Sequence, residues 1–177
     1  MPRRVEIRPP APEDEAAFTA AMRESRSLHR SWVSMPETPE DYAAYLERSQ
    51  RDNAAFFVAH RLEDDAIVGF LNISEMIGGR LQSAFLGYGG VAAFAGQGYM
   101  REALELVVRE AFTTLGLHRL EVNIQPGNGA SIGLAERCGF EREGFSPRYL
   151  KIGGRWRDHE RWAMRAETWR TRSRSRS

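Results

Sequence analysis

Apolar and polar positions divide this chain into segments of two periods. From Arg3 to Pro9 the order "RRVEIRP" alternates Val5 and Ile7 with charged residues, which predicts a short strand. From Pro12 to Arg30 the period lengthens. Ala17, Phe18, Ala21 and Met22 share one helical face, with Pro12 at the entrance, acidic residues in the first turn and basic ones in the last. "SWVSMPETP" reads as a loop, and "TPEDYAAYLERSQRDN" as a second helix with Thr38 as cap and Pro39 in first position. "AAFFVAHRL" and "AIVGFLNIS" are strands joined by an acidic turn. Gly78-Gly79 signals a hairpin into "RLQSAFLGYGGV". The clearest helix is "GYMREALELVVREAFTTLGL", where an apolar stripe runs from Met100 to Leu115 and Gly116 ends it. "HRLEVNIQ" alternates as a strand. "NGASIGLAERCGF" is a short helix capped by Asn128 or Ser131, and two strands surround Gly153-Gly154.

The order is strand, two helices, three strands, helix, strand, helix, two strands. It predicts an α/β domain with a mixed, mostly antiparallel sheet. "TRSRSRS" at the end has no apolar content. The expectation is one domain over residues 1–166 and a basic disordered tail over 167–177.

Composition narrows the class. The 177 residues are 42% hydrophobic and 28% charged, as in a soluble globular domain with a real core. A net charge of +1 gives no reason to expect strong nucleic-acid binding. A single cysteine, Cys138, excludes an intrachain disulfide, and the four histidines lack ligand spacing, so no metal is expected. No apolar run is long enough for a membrane span, and the first residues lack the apolar core of a signal peptide. The reading is a soluble cytoplasmic protein, monomer or homodimer.

One stretch raises a chemical question. "AGQGYMREAL" places Gly96 and Gly98 at the entrance of the longest helix. A helix N-terminus offers unpaired N–H groups and partial positive charge, and flanking glycines let an anion approach them. The stretch is neither a Walker loop nor a dinucleotide fingerprint, since Gly-Lys-Ser/Thr is missing and Arg101 stands where a third glycine belongs.

Strand, "GQG", long helix, alternating strand and "NGASIGLAERCGF" in that order resemble the GNAT superfamily of acetyl-CoA-dependent N-acetyltransferases. "GYMREAL", "LHRLEVNIQPGNGAS", "CGFEREGFSPRYL" and "GRWRDH" are similar to the RimJ and RimL subgroup, which acetylates ribosomal-protein N-termini. The resemblance spans Val5 to Met164. It implies helices on both faces of the sheet and a central sheet splayed at the acetyl-CoA site. It also implies direct attack of a neutral amine on the thioester.

Site residues follow from the resemblance. Gly96, Gln97, Gly98, Tyr99 and Met100 would bind the coenzyme A pyrophosphate through main-chain N–H groups. Ala93 and Ala95 replace side chains that the family uses there. Gly90 or Val91 would donate a main-chain N–H to the thioester oxygen. Asn128 would contact the pantetheine arm, its other role being a helix cap, and Asn123 would be a further cofactor-binding residue. Ser131 would donate a proton to the leaving thiolate, or cap the same helix. The tyrosine that many relatives use for this is Ala135 here. Tyr149 and Trp32 would line the acceptor groove, although each also suits a packing role. The subgroup's glutamate position holds Arg148, so Glu75 becomes the first candidate base. An α-amine, with a pKa of about 7.7–8.0 against about 10.4 for lysine, asks little of any base. Asp158 and His159 are expected to brace the final hairpin. Three functions stay open: an N-terminal acetyltransferase, a small-amine acetyltransferase (aminoglycoside, polyamine or amino acid), and a non-catalytic acyl-CoA-binding module.

Overall fold

The structure, a computed structural model, describes residues 3–29 and 31–175. Seven strands form one sheet in the order β1-β2-β3-β4-β5-β7-β6. They are β1 (Val5–Arg8), β2 (Ala55–Arg61), β3 (Ile67–Ile77), β4 (Ser83–Gly90), β5 (Arg119–Ile124), β6 (Glu141–Ile152) and β7 (Arg155–Arg165). Every neighbouring pair is antiparallel except β4 and β5, which run parallel. Period-two burial along β5, with Leu120, Val122 and Ile124 inward, is the alternation its sequence shows.

Helices cover both faces. On one side α1 (Glu15–Glu24) and α3 (Pro39–Ser49) pack Phe18, Met22, Tyr42 and Tyr45 against Phe56, Val58 and Phe70 of the sheet. On the other, α4 (Tyr99–Thr113) and α5 (Gly129–Cys138) bury Leu104, Val107 and Ala135 against Leu71, Leu86 and Leu120. Thr38 caps α3 as expected, its hydroxyl accepting the Asp41 N–H while Asp41 reaches back, a capping box with Pro39 in first position.

Two expectations are corrected. The first helix does not run unbroken from Pro12. A short 3-10 turn (Pro12–Asp14) leads into α1, and Ser25 separates it from a single further turn, α2 (Arg26–His29). Ser25 is fully buried, and its hydroxyl accepts the Ala92 N–H at 2.9 Å, a long-range bond that diverts it from helix continuation. The expected helix end, Arg30, lies outside the described residues.

The second concerns the tail. Ala166–Arg174 forms α6, where disorder was expected from residue 167. Trp169 anchors it: its ring packs on Phe112 of α4 at 5.8 Å, and Arg172 lies over Gly139. One aromatic contact with the core outweighs a polar local composition. Arg176 and Ser177 lie outside the described residues. Among the described residues no helix is long and apolar enough to cross a membrane.

Candidate active site

The site begins where the sheet comes apart. β4 and β5 pair only at Ser83–Arg119, Ala84–Leu120 and Phe85–Glu121. β4 continues to Gly90 and β5 to Ile124 without further pairing, so a gap opens between them. The Val91 N–H donates to the Val68 carbonyl at 2.9 Å, and Gly90 stands opposite Gly69. Alternation along this antiparallel ladder turns the peptide groups of Phe85, Gly87 and Gly89 toward β3. The Leu86 N–H closes the last β4–β5 pair, Phe85–Glu121, and the peptide groups of Tyr88 and Gly90 beyond it face the gap. Of the two main-chain donors expected for a thioester oxygen, Val91 is therefore committed to the sheet and Gly90 lies on the gap edge.

At the open end, β4 leads through a 3-10 turn (Ala92–Phe94) into the glycine stretch. Gly96 and Gly98 have φ of 75° and 86°, left-handed values that favour glycine, and Gly98 caps α4 with no side-chain bond. The first N–H groups of α4, on Tyr99 and Met100, thus have no side-chain cap. Arg4 braces the turn from β1. It donates to the Gln97 carbonyl at 3.1 Å, lies over the Tyr99 ring and pairs with Glu102. The Gln97 side chain folds back onto the Ala93 carbonyl at 3.0 Å, and the Met100 side chain packs beneath Gly69 and Gly90. A cavity of about 670 Å³ opens beside Gly98 between α4 and α6, lined by Arg3, Arg4, Arg101, Arg109 and Arg172 among others.

Two side chains tie one segment across the mouth of the gap. The His29 Nε2–H donates to the Gly90 carbonyl at 2.6 Å. The Gln125 side chain, just past β5, donates to the Ser31 and Trp32 carbonyls, both at 3.2 Å. Trp32 places its ring edge near Gly127, and a Cβ at Gly89 would meet Phe70 and His29. Close packing explains glycine at position 89. Burial pushes the His29 imidazole below its ordinary value, opposed in part by the Gly90 bond, and burial does the same to His159. Both rings are neutral at pH 7. The unfolded chain binds protons that the folded chain refuses, so this stability is complete above about pH 6.5 and is lost as pH falls below it. A His29→Gln variant should show a shallower fall in melting temperature from pH 7.5 to 5.5 than the unmodified protein. Equal slopes would show that His29 is not held neutral.

Ser131 and Asn128 meet at the N-terminus of α5. The Asn128 Oδ1 accepts the Ser131 N–H at 3.2 Å, which is the capping role. The Ser131 hydroxyl is therefore not the cap and donates to the Tyr88 phenol oxygen at 3.0 Å; the Tyr88 hydroxyl donates to the Ser131 carbonyl at 3.2 Å. Burial raises the Tyr88 pKa to about 12, so its proton stays on at neutral pH. Tyr88 is the residue the sequence reasoning missed. The signal was present: β4 alternation puts it on the face of Leu86 and Ala84, toward α4 and α5. Asn123 lies on β5 beyond the last pairing to β4, and its buried Oδ1 makes no hydrogen bond among the described residues.

The remaining expected residues separate. Trp32 and Tyr149 lie toward the open end. Tyr149 sits in a bulge of β6, its ring against His159 at 6.3 Å. Glu75 does not join them. β3 runs antiparallel to β4, so Glu75 follows Ser74, the partner of Phe85 at the closed end. It is exposed, in a bulge with φ of 51°, beside Asn53. Asp158 accepts the Arg148 N–H at 2.8 Å and His159 is buried, so this pair holds the hairpin bulge.

Residues 4–141 match the acetyltransferase (GNAT) domain family. The chain is 40% identical over 116 residues to the probable N-acetyltransferase YjcK of Bacillus subtilis, covering 66% of this chain and 64% of that one, just under two thirds. It is 34% identical over 154 residues to the ribosomal protein uS5-alanine N-acetyltransferase of Escherichia coli, covering 82% and 79%. Mycobacterium smegmatis RimJ, solved in complex with a CoA disulfide, superposes with a TM-score of 0.86 at 26% identity over 97% of this chain and 88% of that one. The chain belongs to the GNAT acetyltransferases, in their RimJ/RimL-type subgroup.

Proposed function

We propose that this protein transfers an acetyl group from acetyl-CoA to the N-terminal α-amine of a polypeptide in the cytoplasm. A ribosomal protein is the acceptor that the names of its relatives suggest. The observation that carries the reading is the β4–β5 gap ending at a helix N-terminus without a side-chain cap.

The residues fit the cofactor. Gly96 to Met100 would receive the pyrophosphate on main-chain N–H groups. The cavity beside Gly98 holds Arg4 and Arg101 paired with Glu102 and Glu105, and Arg3, Arg109 and Arg172 give its lining the surplus positive charge that Ala93 and Ala95 do not supply. The gap would hold the pantetheine arm along the free edge of Tyr88 and Gly90, and the unpartnered Asn123 Oδ1 suits an amide N–H. Acetyl-CoA supplies the acyl group as a thioester. The Gly90 N–H is the donor for its carbonyl oxygen, and His29 fixes the Gly90 carbonyl beside it. The Tyr88–Ser131 pair holds two hydroxyl protons at the gap, one of which would pass to the departing sulfur and be replaced by the proton that the attacking amine sheds as the amide forms.

Among the residues placed at the open end, no carboxylate stands ready as a base. Glu75 lies at the closed end, Asp158 is tied to Arg148 and Glu160 to Arg142. An α-amine suits such a site, because a useful fraction is already neutral at pH 7 when its pKa is about 8. Lysine and polyamine nitrogens need stronger deprotonation.

The test is a competition read by mass spectrometry. Peptides with free α-amines and internal lysines are mixed with spermidine, an aminoglycoside and free amino acids, then incubated with the protein and acetyl-CoA. Acetylation at residue one of the peptides, with lysines unmodified, is expected. Acetylation of the small amines alone would overturn the reading. Binding of acetyl-CoA with no transfer to any of them would favour a binding module.

A further inference from the structure

β6 and β7 outrun the rest of the sheet. The last pair between β5 and β7 is Ile124–Glu160. Residues 155–159 and their β6 partners therefore project past the end of β5, on the side where the gap opens. At about 3.3 Å per residue, Trp156 stands about 13 Å beyond that last pair.

The charges on this ribbon divide at the same point. Below it Arg142 pairs with Glu160 and Arg165 with Glu141, and Glu143 pairs with Arg119 of the neighbouring β5. From Pro147 to Arg157 there are four cations, Arg148, Lys151, Arg155 and Arg157, and no acidic residue. All four are exposed, and among the described residues none of their side chains forms an ion pair. Strand alternation divides these side chains, Lys151 with Trp156 on one face of the ribbon and Arg155 and Arg157 with Leu150 on the other. Trp156 is 62% exposed opposite Lys151, and Leu150 is 36% exposed opposite Arg157. The tip is held in shape. Gly153 and Gly154 turn it with φ of 55° and 77°, and Asp158 fixes the Arg148 peptide, itself left-handed at 47°.

We propose that this ribbon docks an acidic stretch of the acceptor polypeptide, downstream of the amine that enters the gap. The inference rests on the polypeptide-acceptor reading. Exposed cations without internal partners attract an anionic chain at no loss of existing pairs, and Leu150 beside Arg155 and Arg157 adds apolar contact on their face. An extended chain spans 13 Å in about four residues, so the contact falls at about positions 4 to 8 of the acceptor. A second copy of the ribbon would bring like charges together, and a cationic small amine would be repelled.

The test uses the full chain with acetyl-CoA and three peptides that share their first three residues. Positions 4 to 8 are acidic, neutral or basic. The acidic peptide should show a KM about ten-fold below the neutral one, with kcat unchanged. The advantage should vanish at 0.5 M salt, by about the same factor. It should also vanish in the Arg155→Glu/Arg157→Glu variant, whose unchanged kcat on the neutral peptide shows that it folds. Equal KM values for all three peptides would overturn the docking proposal and leave the acceptor reading standing. So would an advantage that survives in the double variant. A single-stranded oligouridine that binds the ribbon while the peptides show no preference would overturn it in favour of nucleic acid. No acetylation of any peptide would overturn both readings.

Discussion

Gly98→Asp is expected to abolish cofactor binding while leaving the fold intact. Gly98 adopts φ of 86° at the cap of α4, where a side chain is strained by about 1–2 kcal/mol. A Cβ there would sit 3.2 Å from Arg4, which already pairs with Glu102 and the Gln97 carbonyl. The carboxylate would also face the bound pyrophosphate. Two unit charges about 4 Å apart repel by about 4 kcal/mol at an effective dielectric of about 20. At about 1.4 kcal/mol per ten-fold change, a loss of at least about a hundred-fold in CoA affinity follows. Gly98→Asn separates the causes. Asparagine tolerates the left-handed conformation and has the same shape without the charge, so it should bind CoA with an intermediate constant. Titration calorimetry of the two variants decides. Unchanged affinity in Gly98→Asp would remove the glycine turn from the site.

Tyr88→Phe and Ser131→Ala should each lower kcat by about a hundred-fold, the low end for loss of a positioned proton donor, with CoA affinity changed by less than about three-fold. Each removes one hydroxyl from a pair only 3.0 Å apart. The double variant should be scarcely slower than either single one, because the two groups act as a unit. Burial keeps the Tyr88 proton in place until about pH 12, so kcat should show no loss of the acid over the ordinary assay range. Steady-state kinetics with each variant measure this. Normal turnover in Ser131→Ala would reduce Ser131 to packing. Normal turnover in Tyr88→Phe would place the donor elsewhere.

Most of the fold was legible because its signals are local. Alternation in "RLEVNI", the stripe from Met100 to Leu115 and the Gly153-Gly154 turn each specify an element within a short stretch of chain. α6 was not legible, since its one apolar anchor, Trp169, acquires meaning only when Phe112 is brought beside it. Ser25 looked like one more helical residue, and its bond to Ala92 spans 67 positions. Site residues divide in the same way. The glycine turn is a contiguous motif and could be read. Tyr88–Ser131 and His29–Gly90 lie 43 and 61 residues apart, so no spacing announces them. Glu75 was misplaced because a position after a central strand says nothing about which end of the gap the strand reaches; antiparallel β3 carries it to the closed end.

The most direct test of the account is amide hydrogen exchange with and without CoA. The central claim is that free main-chain N–H groups along one edge of β4 and at the start of α4 hold the cofactor. Slowed exchange at Tyr88 and Gly90 and across Gly96 to Met100, with Leu86 and Val91 unchanged, is the predicted result. Protection confined to the cavity between α4 and α6, with β4 and the glycine turn exchanging as before, would contradict it.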